Sequence, residues 1–227
     1  MRIVSLNTGL PRDVTAHGQR VMTGIYKTPV AGRLPLRRLN FEGDGQADLS
    51  VHGGEFKAVY CYPHEHYSWW AQQLAGRDLP MGTFGENLTT EGLDEQSVHV
   101  GDRFAIGTAH VIVTQPRLPC YKLGIRFESD AMVRQFLASG RSGFYLAVER
   151  EGEVGAGDAV TVLARDPRQV SIASMNRIYV RKTFDASDIA IATKALRIPV
   201  LPDGWKERVR RVLSTSGRDE NADDGRD

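Results

Sequence analysis

Cysteine is scarce in this sequence: 227 residues contain two, Cys61 and Cys120. Two thiols cannot build a disulfide scaffold, and they make a closed zinc site improbable and an iron–sulfur cluster untenable. An excess of one charge is missing as well. Lys and Arg number 29 against 28 Asp and Glu, which argues against a general nucleic-acid binder. No stretch nears the roughly 20 consecutive apolar residues of a membrane span. The opening MRIVSLNTGLPRD lacks the apolar region and cleavage site of a secretory signal. Phosphate-loop and nucleophile-elbow motifs are absent. Gly152, Gly155 and Gly157 precede a predicted strand, so they form no dinucleotide fingerprint. His64 and His66 lie two apart on a predicted helix and face different ways, so they make no metal pair. With 41% hydrophobic and 25% charged residues, the composition is that of a reduced, cytoplasmic, one- or two-domain globular protein.

The first 165 residues read as β-rich. Short apolar or alternating runs occur at Arg2–Leu6, Val21–Ile25, Leu34–Leu39, Ala58–Cys61, Val98–Val100, Arg103–Ile106, His110–Thr114, Phe144–Val148 and Val160–Leu163. Gly-Asp turns punctuate them, which favours a barrel or sandwich over a doubly wound sheet. Helices are predicted over Pro63–Ala75 and, with a capping serine, over Ser129–Ser139. Beyond Pro167 three more follow, at Val170–Val180, Asp185–Leu196 and Asp203–Leu213. The expected division is a β domain over 1–165, a three-helix domain over 168–213 and a disordered acidic tail over 214–227. Val170–Leu213 carries nine Lys/Arg against four Asp/Glu. Such a stretch is usually a solvated face, and alternatively a docking surface for an acidic partner.

Three segments carry candidate chemistry. In Thr114-Gln115-Pro116-Arg117-Leu118-Pro119-Cys120-Tyr121-Lys122 two prolines predict a stiff loop leaving the sheet. Arg117 and Lys122 place positive charge near the Cys120 sulfur, which favours a thiolate. Such a thiolate suits a nucleophile, a persulfide carrier or a soft-metal ligand, and a small buried hydrophobe is the plain alternative. Cys61, inside an apolar run, reads as core. His52-Gly53-Gly54 with Lys57 has the makings of an anion nest, or of an ordinary tight loop. Gly82-Thr83-Phe84-Gly85-Glu86-Asn87 offers acceptor and amide groups to a polar heterocycle, or a satisfied turn.

Taken in order, His52-Gly53-Gly54 with Lys57-Ala58-Val59-Tyr60, Phe84-Gly85-Glu86-Asn87-Leu88, Val100-Gly101-Asp102, Gln115-Pro116-Arg117 with Pro119-Cys120, and Gly143-Phe144-Tyr145 resemble the MOSC domain. That domain is named for the C-terminal domain of molybdenum cofactor sulfurase. The resemblance covers residues 1–213 and extends to the YiiM-like branch, with its three appended helices. It implies an α+β fold: a mainly β, distorted barrel with short inserted helices, followed by the small helical domain. It further implies binding of the molybdopterin form of the molybdenum cofactor, with Cys120 as catalytic residue and molybdenum ligand. His52, Gly53, Gly54, Lys57, Phe84, Gly85, Glu86, Asn87 and Arg117 would bind the cofactor. The implied activity is reduction of N-hydroxylated compounds, such as N-hydroxylated base analogues, to amines. Glu86 or a histidine is the candidate proton donor. Electrons would come from a separate flavin-containing reductase, with no nucleic-acid or membrane partner; a homodimer is compatible. A Cys120 persulfide in a sulfurtransferase and a non-catalytic cofactor carrier are the alternatives.

Overall fold

The computed structural model describes residues 1–48, 53–74 and 76–219, with side chains as far as Thr215. Strand β1 (Arg2–Thr8) leads into the hairpin β2 (Arg12–Ala16) and β3 (Gln19–Thr23), whose turn at His17-Gly18 has positive φ at both residues. Strands β4 (Thr28–Pro29), β5 (Arg33–Leu36) and β6 (Val59–Pro63) precede helix α1 (Glu65–Gln73). Next come β7 (Leu88–Glu91), β8 (Arg103–Ile106) and β9 (Ala109–Pro116). Helices α2 (Tyr121–Phe127) and α3 (Ala131–Ser139) fill the connection to β10 (Phe144–Arg150), followed by β11 (Gly152–Gly155) and β12 (Val160–Ala164). The chain then turns helical: α4 (Ile172–Val180), α5 (Ala186–Ala195) and α6 (Asp203–Asp219).

Eight strands form one mixed sheet in the order β12-β8-β9-β10-β6-β7-β1-β4. Only the β6–β7 pair in it is parallel. The sheet curls until the approach to β12 meets β1. There Ile3 N–H donates to Asp158 O at 2.9 Å and Val160 N–H to Met1 O at 3.0 Å. Among the described residues no continuous ladder closes the ring, so the α+β expectation holds with a barrel that is only partly closed. No helix among the described residues is long and apolar enough to cross a membrane.

Some local expectations change. Val98–Val100 is no strand; Val100 N–H instead donates to Val170 O at 2.9 Å, tying this turn to the helical unit. Thr114–Pro116 does not leave the sheet, because β9 runs through Pro116, which pairs with Phe144 at the strand's last position. The loop is therefore confined to residues 117–120. Pro63 still pairs with Thr90, so α1 starts at Glu65. Asp130, not Ser129, is the residue before α3, and no side chain caps that helix. Helix α6 continues past Leu213 to Asp219.

Helix α2 escaped the sequence reading because its glycine, Gly124, disfavours helix by roughly 1 kcal/mol relative to alanine. Packing overrides that cost: Leu123 and Phe127 are buried in an aromatic cluster with Tyr62, Trp70, Phe84 and Phe136. In this cluster the Tyr62 and Phe84 rings stack at 4.5 Å, and the Trp70 indole donates to Tyr62 Oη at 2.7 Å. The second cluster is continuous from β1 to α6, joining Ile3, Leu88 and Val113 with Met175, Ala192 and Val209.

The junction between sheet and helices turns on Asp102, whose side chain is fully buried. It accepts from His99 N–H at 3.0 Å and Asp166 N–H at 2.9 Å, and pairs with Arg165 at 2.5 Å. Removing its carboxylate strands two backbone donors and an arginine. Asp102→Ala is expected to destabilise the fold by about 3 kcal/mol. Urea unfolding checks this: the midpoint should fall with an unchanged slope.

Candidate functional site

The connection from β9 to β10 brings the cysteine loop to one end of the sheet. Residues 23–27, 44–47, 53–57 and 84–87 meet it there, and together they enclose a cleft of about 690 Å³, its open mouth included. Gly53, Lys57, Phe84, Gly85, Asn87, Arg117 and Cys120 all line it, as does Lys122. Gly54 and Glu86 do not. His52 lies outside the described residues.

Cys120 is partly exposed and directly precedes α2. Cys61 differs in kind. It is buried, and burial with the neighbouring Glu86 charge pushes its thiol far above the ordinary range. A thiol so held is inert.

Arg117 is buried at 6% exposure, with its guanidinium carbon 5.3 Å from the Tyr60 ring centre and 4.9 Å from that of Phe136. Burial raises the pKa of the Tyr145 phenol, and the Arg117 charge opposes that shift. Arg117 Nη1 has no hydrogen-bond partner among the described residues. A buried guanidinium N–H left so costs on the order of 1–3 kcal/mol or more, unless a ligand accepts from it. Lys57 also faces the cleft; burial lowers its pKa, and the Cys120 charge opposes that shift. Counting the described lining residues, four cations (Lys27, Lys57, Arg117 and Lys122) face one carboxylate, Asp44. Asp44 is committed: it pairs with Lys27, and it accepts from Gly9 N–H at 3.0 Å and from Asn87 Nδ2 at 2.9 Å. Burial lowers the Lys27 pKa, with Asp44 acting in the opposite sense.

The glycines have definite jobs here. Gly53 and Gly54 hold φ of 113° and 78°, which turn the chain into the short 3-10 turn carrying Lys57. Gly85 has φ 84°, and a β-carbon there would lie 2.9 Å from Ile25 Cγ1. Phe84 is fully buried and forms the base of the cleft on its stack with Tyr62.

Glu86 is not a cleft residue. It is fully buried behind the wall, where its carboxylate accepts from Gly82 N–H at 2.9 Å, Phe84 N–H at 3.1 Å and Thr89 Oγ1 at 2.9 Å, and from the Tyr67 phenol. Its work is to fold the 82–86 loop. Asn87 is spent similarly, with Oδ1 accepting from Tyr60 N–H at 3.1 Å and Nδ2 donating to Asp44. Tyr60 and Tyr145 stand in the motifs quoted above without an assigned role, and Lys27 stands in none of them. Asp44 lies in the turn-forming run Gly43-Asp44-Gly45-Gln46-Ala47-Asp48 that precedes His52, but Lys27 has no local signal at all.

No group of three or more His, Cys, Asp or Glu able to hold a bare metal occurs among the described residues. The donor set instead suits a metal that brings most of its own ligands on an anionic organic group. One accessible thiol, a cation-lined cleft and an unsatisfied buried guanidinium fit a phosphate-bearing cofactor.

Residues 48–161 match the MOSC domain. The chain is 41% identical to YflK of Bacillus subtilis (strain 168), over 90% of both proteins. The chain belongs to the MOSC family. The crystal structure of YiiM from Geobacillus stearothermophilus superposes with a TM-score of 0.76 at 33% identity, covering 93% of this chain and 98% of that one. Together with the family match, this places the chain among YiiM-like MOSC proteins. A reductase of Gibberella moniliformis (strain M3125 / FGSC 7600) is 30% identical over 88% of this chain, the match covering 36% of the reductase.

Burial raises the pKa of Glu86, although its hydrogen bonds act the other way. Stability from this group is therefore fully present below the ordinary carboxylate range and is lost as pH rises through the elevated folded value. Relative to Glu86→Gln, the wild type should be most stable near pH 4 and lose that advantage towards neutrality. Denaturant titrations of both proteins across this range check the sign.

Proposed function

We propose that this MOSC protein binds the molybdopterin form of the molybdenum cofactor and reduces N-hydroxylated compounds to amines. The carrying observation is the buried Arg117 with its unpartnered Nη1, beside Cys120 in a cleft lined by four cations. Arg117 and Lys122 would hold the cofactor's anionic group. Cys120 would supply the protein's ligand to the metal, and the Gly53-Gly54 turn would let backbone approach the ring system. When bound, the cofactor supplies two-electron chemistry at molybdenum. The overall change is R–NHOH + 2 H⁺ + 2 e⁻ → R–NH₂ + H₂O, in which the N–O bond breaks and nitrogen is reduced.

The chain's own contribution is positioning and proton supply. Glu86 is sealed behind the wall, and no described histidine lines the cleft. Lys57 takes the proton-donor role instead: it faces the cleft, and burial weakens its hold on the proton. Electrons would come from a separate flavin-containing reductase. The matched reductase extends well beyond the region shared with this chain, in keeping with electron supply by another module. Exposed Lys182, Lys194, Arg197, Arg210 and Arg211 on the helical unit give an acidic donor a surface to meet.

Protein purified from a cofactor-making host is expected to carry near-stoichiometric molybdenum. Elemental analysis should find this at least tenfold lower in Cys120→Ser and in Arg117→Met. No molybdenum in either wild type or variant, with a sulfane sulfur on Cys120, would instead make the protein a sulfur carrier.

Salt separates the two electron routes. Turnover with the reductase should fall several-fold between low salt and 0.5 M, while turnover with a chemical reductant stays level. Equal sensitivity in both assays removes the docking surface from the reading.

A further inference from the structure

The helical unit grips the sheet at one two-residue turn, Ser142-Gly143, just ahead of β10. From α4, Asn176 Nδ2 donates to Ser142 Oγ at 2.7 Å. Glu95 reaches the same turn from the 94–97 loop, its Oε1 accepting from Gly143 N–H at 2.6 Å. Glu95 is itself held at both ends. Its backbone O accepts from Ala173 N–H, in the first turn of α4, at 2.7 Å, and its Oε2 pairs with His66 Nε2 at 2.8 Å. The side chain of Glu95 is 7% exposed and that of His66 13%. A cavity of about 1350 Å³, its mouth included, opens onto His66, Glu95 and Asn176, and none of its described lining residues lines the cleft.

What this turn holds belongs to the cleft. Gly143 O accepts from Arg117 N–H at 3.3 Å, and Ser142 O accepts from the Tyr60 phenol at 2.8 Å. Tyr60 and Arg117 both line the cleft, with the guanidinium carbon 5.3 Å from the Tyr60 ring centre. Pro116 has no N–H, so the Arg117 bond to Gly143 is where the β9–β10 ladder hands over to the cysteine loop. The turn is pressed against β6: Gly143 has φ 62°, and a β-carbon there would lie 2.2 Å from Cys61 O. Moving Gly143 therefore moves the backbone from which the Arg117 side chain springs.

We propose that Glu95 is a positioning residue for Arg117. Its carboxylate acts through Gly143, while the helical unit, through Ala173 and Asn176, sets where that carboxylate and the turn stand. This rests on the reading of Arg117 as the contact for the cofactor's anionic group. Glu95 itself touches neither cofactor nor substrate. It fixes the angle at which a buried guanidinium meets the cleft, and charge-assisted recognition of an anion depends steeply on that angle. The appended helices thereby act on the cleft although none of their described residues lines it.

The test uses the full chain without added cofactor, as wild type, Glu95→Ala, Glu95→Gln and Asn176→Ala, each first shown to unfold cooperatively in urea. Hydrogen exchange of the Arg117 amide, followed by NMR, is expected to be roughly tenfold faster in Glu95→Ala and roughly threefold faster in Asn176→Ala. Glu95→Gln keeps an oxygen that accepts from Gly143, so its Arg117 exchange should stay close to that of wild type. The amides of Lys57 and Gly85, on the other cleft walls, should not change in any variant. Inorganic phosphate, titrated by calorimetry, should bind wild type and Glu95→Gln alike, and Glu95→Ala roughly tenfold more weakly. An unchanged Arg117 amide in Glu95→Ala overturns the proposal, and Asn176→Ala decides in its place where Glu95→Ala does not fold. An equal rise at Lys57 and Gly85 also overturns it, because that marks general loosening. A selective rise at Arg117 with unchanged phosphate affinity supports the positioning link and overturns Arg117 as the anion contact. If wild type binds no phosphate, the anion reading of the cleft falls, and the exchange rates alone decide the role of Glu95.

Discussion

Peptide N–H groups in loops that leave a sheet and stay buried must find acceptors, and here buried carboxylates supply them. Glu86 takes two amides of the 82–86 loop, Asp44 takes Gly9, Glu95 takes Gly143, and Asp102 takes His99 and Asp166. Each of these acids is at most 7% exposed. The arrangement replaces ladder hydrogen bonds with charge-assisted ones at the end of the sheet where strands give out. It also fixes loops that share no secondary structure, so the cleft walls are as defined as the strands behind them.

The cleft shows the opposite economy. Its cations outnumber its carboxylates, and Arg117 leaves a buried donor unmet. A fold selected only for stability would pair or remove such a group, because an unsatisfied buried donor is costly. The two acids nearest the cleft are already engaged. Glu86 faces its own loop, and Asp44 is saturated by Lys27, Asn87 and Gly9. Positive potential is therefore retained by construction, which suits an anionic ligand.

How much of this could be read in the chain depends on the range of the interaction involved. Cys120, Arg117, Lys57 and Gly53 were legible because proline, glycine and neighbouring basic residues give local signals. The strand segments of β8 and β10 were legible from alternation. Helix α2 was not, since Gly124 argues against helix locally and the packing of Leu123 and Phe127 decides it. Glu86 misled because an exposed acceptor and a buried clamp have the same residue type and the same flanking glycines. Lys27 and Asp44 find each other across 17 residues, and Trp205 finds Gln115 across 90. No periodicity encodes such pairs.

The two cysteines illustrate why residue type alone assigns no role. Cys61 pairs with Leu88 across the parallel β6–β7 ladder and sits in the continuous core, where a thiolate would be heavily penalised. Cys120 stands at the mouth of the loop that Pro119 and α2 hold in place, within the field of Lys57. A lone thiol is too few donors to capture a free soft metal, and no other metal-binding cluster accompanies it among the described residues. One thiol is enough for a metal already held by an organic dithiolate. Under the proposed function one well-placed sulfur would therefore suffice, and the cations and backbone amides of the cleft would recognise the organic part.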